Sequence, residues 1–595
     1  MDSVFQGQKL FSARLAIGLI QGLALYTLYS AYDDKVWPAT QGLLFAPLLL
    51  SWLFIPTLLI SALGELPLRK ALVWAAIALV VTAGLAVFDN WSAWPEEWAY
   101  MNDAMQPHIV PSIKLFFFWG AGLFIAHTLV LGGYTDRRAI ASYPTHFDTA
   151  WKLALQLAMA VLFVGAFWLL LWLGAGLFNL IKLNFIERLI THTWFSIPVI
   201  ALAAAGALHL TDVRPSLVRG ARTLLLTLLS WLLPLIVLIV AGFIISLPFT
   251  GLQALWATGH ASALLLTAAA ALVVLINATH QDGEPERLPP KLLRQSGTLA
   301  ALLAVPLALI ATYALYLRVG QYGWSVDRVF LAGSVITAIG YAGGYAAAAL
   351  RPGTWLHSLK TWNFGMSLVV LAMIIALFSP LGSPERIAVA DQIARLNSGK
   401  ISAEKFDYRF LRWEGGRYGM QALQQMARSK TGNTGKLAQA ALQQHNRYVP
   451  TTLEGQQLIG RLTVYPAGRK LPQSFVQMNW SLGGQQPFIQ PNCPAETPCD
   501  AILTDLDGDG RPEILIVNGR FSSSQIFRED GGGGWMLAGT LNLPPQCPRV
   551  LDALRQGHFQ MQPPPFRMND IALDGVRLHI YEQEFGSTQP RCPPD

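Results

Sequence analysis

Long unbroken apolar runs fill the first two thirds of the chain, each separated from the next by a short polar stretch. A helix needs about 20 apolar residues to cross the hydrocarbon of a bilayer. Runs of roughly that length cover Leu15–Tyr32, Gly42–Leu63, Ala71–Phe88, Leu115–Gly133, Leu153–Ile181, Trp194–Leu210, Thr223–Leu247, Ala261–Asn277, Thr298–Leu317, Arg328–Leu350 and Trp362–Ser379. The pattern predicts a polytopic α-helical membrane protein with about eleven transmembrane helices over residues 1–380. The stretch Phe249–Gly259 reads as interfacial. Small residues over Gly340–Ala349 allow close helix approach.

Beyond Ser379 the pattern changes. Residues 381–448 carry helical spacing through Ile387, Ile393, Leu396, Leu423, Met426, Leu437 and Leu442, which predicts a helical neck. Residues 449–595 alternate in short runs broken by Pro and Gly, at Leu458–Tyr465, Phe475–Trp480, Ile502–Thr504, Ile514–Val517 and Val576–Tyr581. Such runs predict a small extracytoplasmic β-rich domain.

Composition agrees with the membrane class: of 595 residues, 53% are hydrophobic and only 13% charged. The net charge of +7 lies between apolar runs and not in a polar domain, which argues against a nucleic-acid partner and names the lipid bilayer as one. One set of alternate loops holds Lys9, Arg14, Arg69, Lys70, Arg137, Arg138, Lys152, Arg214, Arg219, Arg222, Arg287, Lys291, Arg294, Arg351 and Lys360. The other holds only Lys35, Lys114, Lys182, Arg188, Arg318 and Arg328. The positive-inside bias then places the N-terminus in the cytoplasm, and the neck and β-rich domain in the periplasm of a bacterial inner membrane. The first run is too long for a signal-peptide core and is expected to remain as an anchor.

All four cysteines, Cys493, Cys499, Cys547 and Cys592, fall in the last segment, as expected of a disulfide-stapled domain in an oxidising space. Local closure favours pairing Cys493 with Cys499 and Cys547 with Cys592, although four cysteines permit three pairings. Loop charge and cysteine placement agree on the compartment.

The sharpest motif is Asp505-Leu506-Asp507-Gly508-Asp509-Gly510-Arg511-Pro512-Glu513, set between two β-type runs. Asp505, Asp507, Asp509 and Glu513, with the Arg511 carbonyl, offer oxygens at the spacing that surrounds a calcium ion. Ile516 stands where an EF-hand has its bidentate Glu, so flanking helices are not required. The competing reading is a plain Asp-Gly hairpin turn. With its Arg-Pro-acid-Ile exit, the loop over Ala501–Gly519 resembles a single calcium hairpin of the FG-GAP type. That resemblance implies bound Ca2+ with a structural role.

Elsewhere the candidates are weaker. His127 lies inside the fourth run while Glu65, Asp89 and His209 lie near run ends, so the spans hold almost no ionisable residues and ion-coupled transport is not expected. The loop from Asp89 to Lys114 holds Glu96, Glu97, Asp103 and His108 among tryptophans without the spacing of a catalytic motif. Lys182–Thr193 reads as a short amphipathic helix on the outer surface.

Three further stretches are Ser142-Tyr143-Pro144-Thr145-His146-Phe147-Asp148-Thr149-Ala150-Trp151-Lys152, Arg318-Val319 with Tyr322-Gly323-Trp324-Ser325-Val326-Asp327-Arg328, and Pro384-Glu385-Arg386-Ile387-Ala388 with Asp391-Gln392-Ile393-Ala394-Arg395-Leu396. They resemble a bacterial inner-membrane family catalogued as domain of unknown function forty-one fifty-three. The resemblance implies an inner-membrane location and no particular activity. The functional expectation is a non-enzymatic envelope protein whose bundle positions a calcium-stabilised binding or sensing domain, with an envelope protein or glycan as partner. The alternative is a membrane enzyme or translocator for lipid-linked glycans, which would show a lateral cavity lined by Asp89, Glu97 and His127.

Overall fold

The computed structural model describes residues 2–93, 109–213, 215–251, 261–283, 288–352, 355–428, 433–443, 462–477, 499–518, 523–530, 534–543, 547–561, 571–573 and 576–578. The chain divides into two compact units, Met1–Gln443 and Gln444–Asp595.

Among the described residues, eleven helices of the first unit are long and apolar enough to cross a membrane. They are α1 (Asp2–Asp33), α2 (Gly42–Ala62), α3 (Leu68–Ala93), α4 (Ile113–Thr135), α5 (Tyr143–Leu180), α7 (Thr193–Val213), α8 (Pro215–Thr250), α9 (Ala261–His280), α10 (Lys291–Tyr322), α11 (Val326–Leu350) and α12 (Leu359–Leu377). Each matches one expected run, with Gly42–Leu63, Leu153–Ile181 and Trp362–Ser379 overrunning their helices by one or two residues, so the helical apolar pattern is realised along the unit. A short helix α6 (Phe185–Thr191) stands where the surface helix was expected. The Phe249–Gly259 stretch lies mostly outside the described residues.

Small residues decide the closest contacts. Gly18 and Gly22 form a Gly-x-x-x-Gly stripe on α1 that meets Pro198, Ala201 and Ala205 of α7; an added Cβ on Gly22 would lie 2.4 Å from Pro198 Cα. Close approach of this kind holds apolar helices together where burial alone gives no net gain. On α11, Gly344 leaves the room that the Trp362 indole fills, and that indole donates to the Gly340 carbonyl at 2.8 Å.

The neck is α13 (Pro384–Asn397), α14 (Tyr408–Trp413), α15 (Gly416–Arg428) and α16 (Asn433–Gln443). Expected as a separate segment over 381–448, it belongs through Gln443 to the same unit as the bundle. Leu423, Ile393, Leu396, Met426, Leu437 and Leu442 share one apolar cluster, whereas Ile387 packs into the bundle's own.

Polar bonds to main-chain atoms of the bundle fix the attachment. Asp391 accepts from the Trp324 N–H at 2.8 Å. Gln392 donates to the Tyr322 and Trp324 carbonyls, both at 2.9 Å, and Arg395 donates to the Gln321 carbonyl at 2.9 Å. The turn they hold pivots on Gly323 at φ 77°, a conformation that side-chain-bearing residues rarely adopt. Two of the stretches singled out in the sequence, Arg318–Arg328 and Pro384–Leu396, therefore meet one another. Nearby, Arg417 donates to the Trp91 carbonyl at 2.9 Å and stacks on the Trp91 ring.

The second unit holds a five-stranded sheet in the order β1 (Leu462–Tyr465), β2 (Cys499–Thr504), β3 (Glu513–Asn518), β4 (Ser523–Glu529), β5 (Trp535–Asn542). β1 is parallel to β2 and the remaining pairs are antiparallel. Period-two alternation buries both faces of the central strands. Ala501, Leu503, Ile514 and Ile516 join Phe475, Phe527 and Trp535 on one side, while Ile502, Leu515 and Val517 face Leu551 and Leu554 on the other.

One expectation fails. Phe475–Trp480 reads as a strand, yet Gln473–Gln477 forms a helical turn, α17, because Phe475 packs edge-on against Phe527 and Trp535 and not into the sheet ladder. Helix α18 (Pro548–Gln556) and a pair, β6 (Ile571–Leu573) with β7 (Val576–Leu578), complete the unit's described elements.

A hydrogen bond to a charged group is worth about 1.5–3 kcal/mol. Asp391→Ala should therefore speed amide exchange across Pro384–Asn397 by at least about tenfold. Unchanged exchange would mean that Gln392, Arg395, Arg417 and the apolar contact of Ile387 hold the neck without Asp391.

Candidate functional site

The acidic loop closes the β2–β3 hairpin. Gly508 and Gly510, at φ 78° and 84°, let the chain coil so tightly that the carboxylates accept their own loop's amides. Asp505 accepts from Gly508 N–H at 2.7 Å and Gly510 N–H at 3.0 Å, and Asp507 accepts from Asp509 N–H at 3.1 Å. Buried Glu513 reaches back to the Leu506 N–H at 2.6 Å. Asp505, Asp507 and Glu513 thereby bring carboxylate oxygens within 4.8 Å of one another. Oxygens bound to calcium at about 2.3–2.6 Å can be no farther apart than about 5 Å, and the three residues meet that limit.

Asp509 stands outside this group, its carboxylate accepting the Arg511 N–H at 2.7 Å. Arg528 reaches Asp507 at 3.3 Å and offers a rival cation. Cys499 and Cys547 are both disulfide-bonded, whereas Cys493 and Cys592 lie outside the described residues.

A second constellation was not anticipated from the sequence. Arg14, only 1% exposed, donates to the Leu63 carbonyl and pairs with Asp212 at 2.8 Å. Its other terminal nitrogen lies 3.3 Å from His209 Nδ1. Lys152 joins Asp212, at 3.2 Å, to Glu65, and Gln156 donates to Asp212 at 3.4 Å. Two cations and two anions thus surround a cavity of about 40 Å³, room for a water molecule or two, which Ser61, Thr135 and Thr149 also line.

The helices continue past the apolar runs, so Arg14, Lys152 and Asp212, each just beyond a run's end, lie in helix and not in loops. The start of α1, end of α2, start of α5 and end of α7 meet at one rim, so the charges balance one another where the apolar stretch gives out. The contact of α1 with α7 sets the register, since Arg14, Gly18 and Gly22 form one helical stripe that runs antiparallel to Ala201, Ala205 and Asp212. Small residues spaced by four that end in opposite charges would have been the readable signal.

His127 adjoins this rim without entering the charge cluster. Trp74 Nε1–H donates to its Nδ1 at 3.0 Å, which leaves the proton on Nε2, 3.1 Å from Ser61 Oγ. A satisfied, buried histidine results. Asp89 belongs to the opposite rim, where it accepts from Ser112 N–H at 2.8 Å and Ser112 Oγ at 2.7 Å and ties α3 to α4. Glu96, Glu97, Asp103 and His108 lie outside the described residues.

A ring of neutral polar groups braces the other half of the bundle. Asn277 donates to the Tyr345 hydroxyl at 2.7 Å, Tyr345 to Asn363 Oδ1 at 2.6 Å, and Asn363 back to Asn277 Oδ1 at 2.7 Å.

No family model, curated protein or solved structure matches the chain. Geometry alone therefore bears on function.

Removing one partner of a buried ion pair costs about 3–5 kcal/mol, while replacing both with apolar groups is often near neutral. Asp212→Asn should lower the melting midpoint of the purified protein by several degrees, and Arg14→Met with Asp212→Leu should recover most of the loss. A double variant no better than either single one would show that the pair does more than balance charge. Lys152→Gln should cost less, because Lys152 and Glu65 are each about a third exposed and solvent screens them.

Proposed function

We propose that this chain is a non-enzymatic envelope protein of a bacterial inner membrane. In this reading the bundle presents the neck and the C-terminal unit on the periplasmic side, where a calcium-stabilised sheet binds an envelope protein or glycan, or senses envelope state. The observation that carries the reading is the attachment of the neck. Its helices are bonded to main-chain atoms at the ends of α3 and α10 and the start of α11, the rim whose loops are poor in Lys and Arg. An eleven-helix bundle that grips its neck at several points acts as a mount, not as a tether, for which one span would serve.

The resemblance to the inner-membrane family accords with this location. Calcium would be held by Asp505, Asp507 and Glu513, with Asp509 and the Arg511 carbonyl as further candidate oxygens, and Cys493–Cys499 and Cys547–Cys592 would staple the sheet beside them. The glycan enzyme or translocator is less well supported. Two residues expected to line its cavity, Asp89 and His127, serve separate structural bonds at different levels of the bundle.

Orientation is tested with reporter fusions. Alkaline phosphatase should be active at the C-terminus and inactive at Gly283, and the reverse pattern refutes the reading. For calcium, affinity of about 10⁻⁴–10⁻³ M is expected of an extracellular loop without a bidentate ligand at its twelfth position. Millimolar calcium should slow amide exchange over residues 499–518 of the full-length protein. Chelator or Asp507→Ala should abolish that protection, and equal exchange with and without the ion would reduce the loop to a turn.

A further inference from the structure

An open cavity of about 500 Å³ flanks the first turns of α10. Its volume falls within the range of about 300–1,000 Å³ that ligand sites occupy. Lys291 and Arg294 stand at one end, Leu299 and Leu302 extend away from them, and Trp355 with Thr298 forms the side. We propose that this cavity binds one anionic phospholipid, its phosphate on Lys291 and Arg294 and an acyl chain along Leu299 and Leu302.

Charge comes first. Neither cation has a carboxylate partner among the described residues, and the buried Nε of Arg294 makes no hydrogen bond there. A phosphate oxygen would supply what that nitrogen lacks, and the N-terminal dipole of α10 adds to the positive field. Position comes next: the pair opens a long apolar helix, as a headgroup site at a membrane surface requires.

Length agrees as well. From Lys291 to Leu302 the helix rises about 16 Å at about 1.5 Å per residue, close to the roughly 15 Å of hydrocarbon in one leaflet. Charged and apolar ends are thus separated as they are in a lipid, whereas a free phosphate would have no use for the apolar wall.

The wall is also fixed in place. Trp355 Nε1–H donates to Thr298 Oγ1 at 3.1 Å, and the ring lies so close to Gly297 that an added Cβ would fall 2.7 Å from it. A rigid indole costs little entropy on binding and suits the level of lipid headgroups. The proposal does not depend on the reading of the neck or of the calcium loop.

The test is native mass spectrometry of the detergent-purified full chain, titrated separately with phosphatidylglycerol and phosphatidylcholine. One phosphatidylglycerol per chain should be retained in preference to phosphatidylcholine. A basic residue near an anionic lipid surface contributes about a fivefold preference, so Lys291→Ala with Arg294→Ala should weaken that binding by about thirtyfold. Leu302→Trp, which fills the acyl wall and spares both cations, should weaken phosphatidylglycerol as well. Equal retention of the two lipids, or undiminished binding by the double alanine variant, overturns the proposal. Competition by millimolar inorganic phosphate, with no effect of Leu302→Trp, overturns it in favour of a simple anion site.

Discussion

Hydrocarbon offers no hydrogen-bond partner, so every polar group that enters it must bring its own. Much of the first unit's architecture follows from that constraint. Backbone groups pair within long helices, and several polar side chains are completed by a neighbouring helix. The Asn277–Tyr345–Asn363 ring is closed, each member donating to the next. The Arg14–Asp212 pair lies where α1 and α7 approach on glycine and alanine, so close packing and charge neutralisation depend on the same register.

The two rims solve the problem differently. At one, charges carried by α1, α5 and α7 and by Glu65 in the turn after α2 cancel around a small cavity. At the other, neck side chains grip exposed main-chain atoms where α10 gives way to α11, supplying partners for groups that a helix end leaves unsatisfied. Rim chemistry of the first kind suits a fixed boundary, and that of the second suits an attachment.

Helices were legible because a span of apolar residues has a single solution in a bilayer, and each expected run matches one long helix to within two residues at its ends. Side-chain constellations were less legible. The acidic loop could be read because its carboxylates are neighbours in sequence, and Asp505, Asp507 and Glu513 do converge, while Asp509 turns to its own backbone. The charge cluster could not be read residue by residue, since Arg14, Glu65, Lys152 and Asp212 come from four separate regions of the chain and each resembles an ordinary loop-end charge. Phe475 misled for a related reason: alternation marks a buried face without saying whether a ladder or a ring contact buries it.

The neck attachment has a consequence for divergence among related chains. Asp391, Gln392 and Arg395 recognise main-chain atoms of residues 321–324, which any amino acid presents alike. Substitution at Gln321 or Tyr322 leaves the acceptors in place, whereas substitution at Asp391 removes a partner outright. Drift would therefore be tolerated on the gripped turn, Gly323 excepted, and penalised on the gripping helix, so that one side of the joint records descent and the other records constraint.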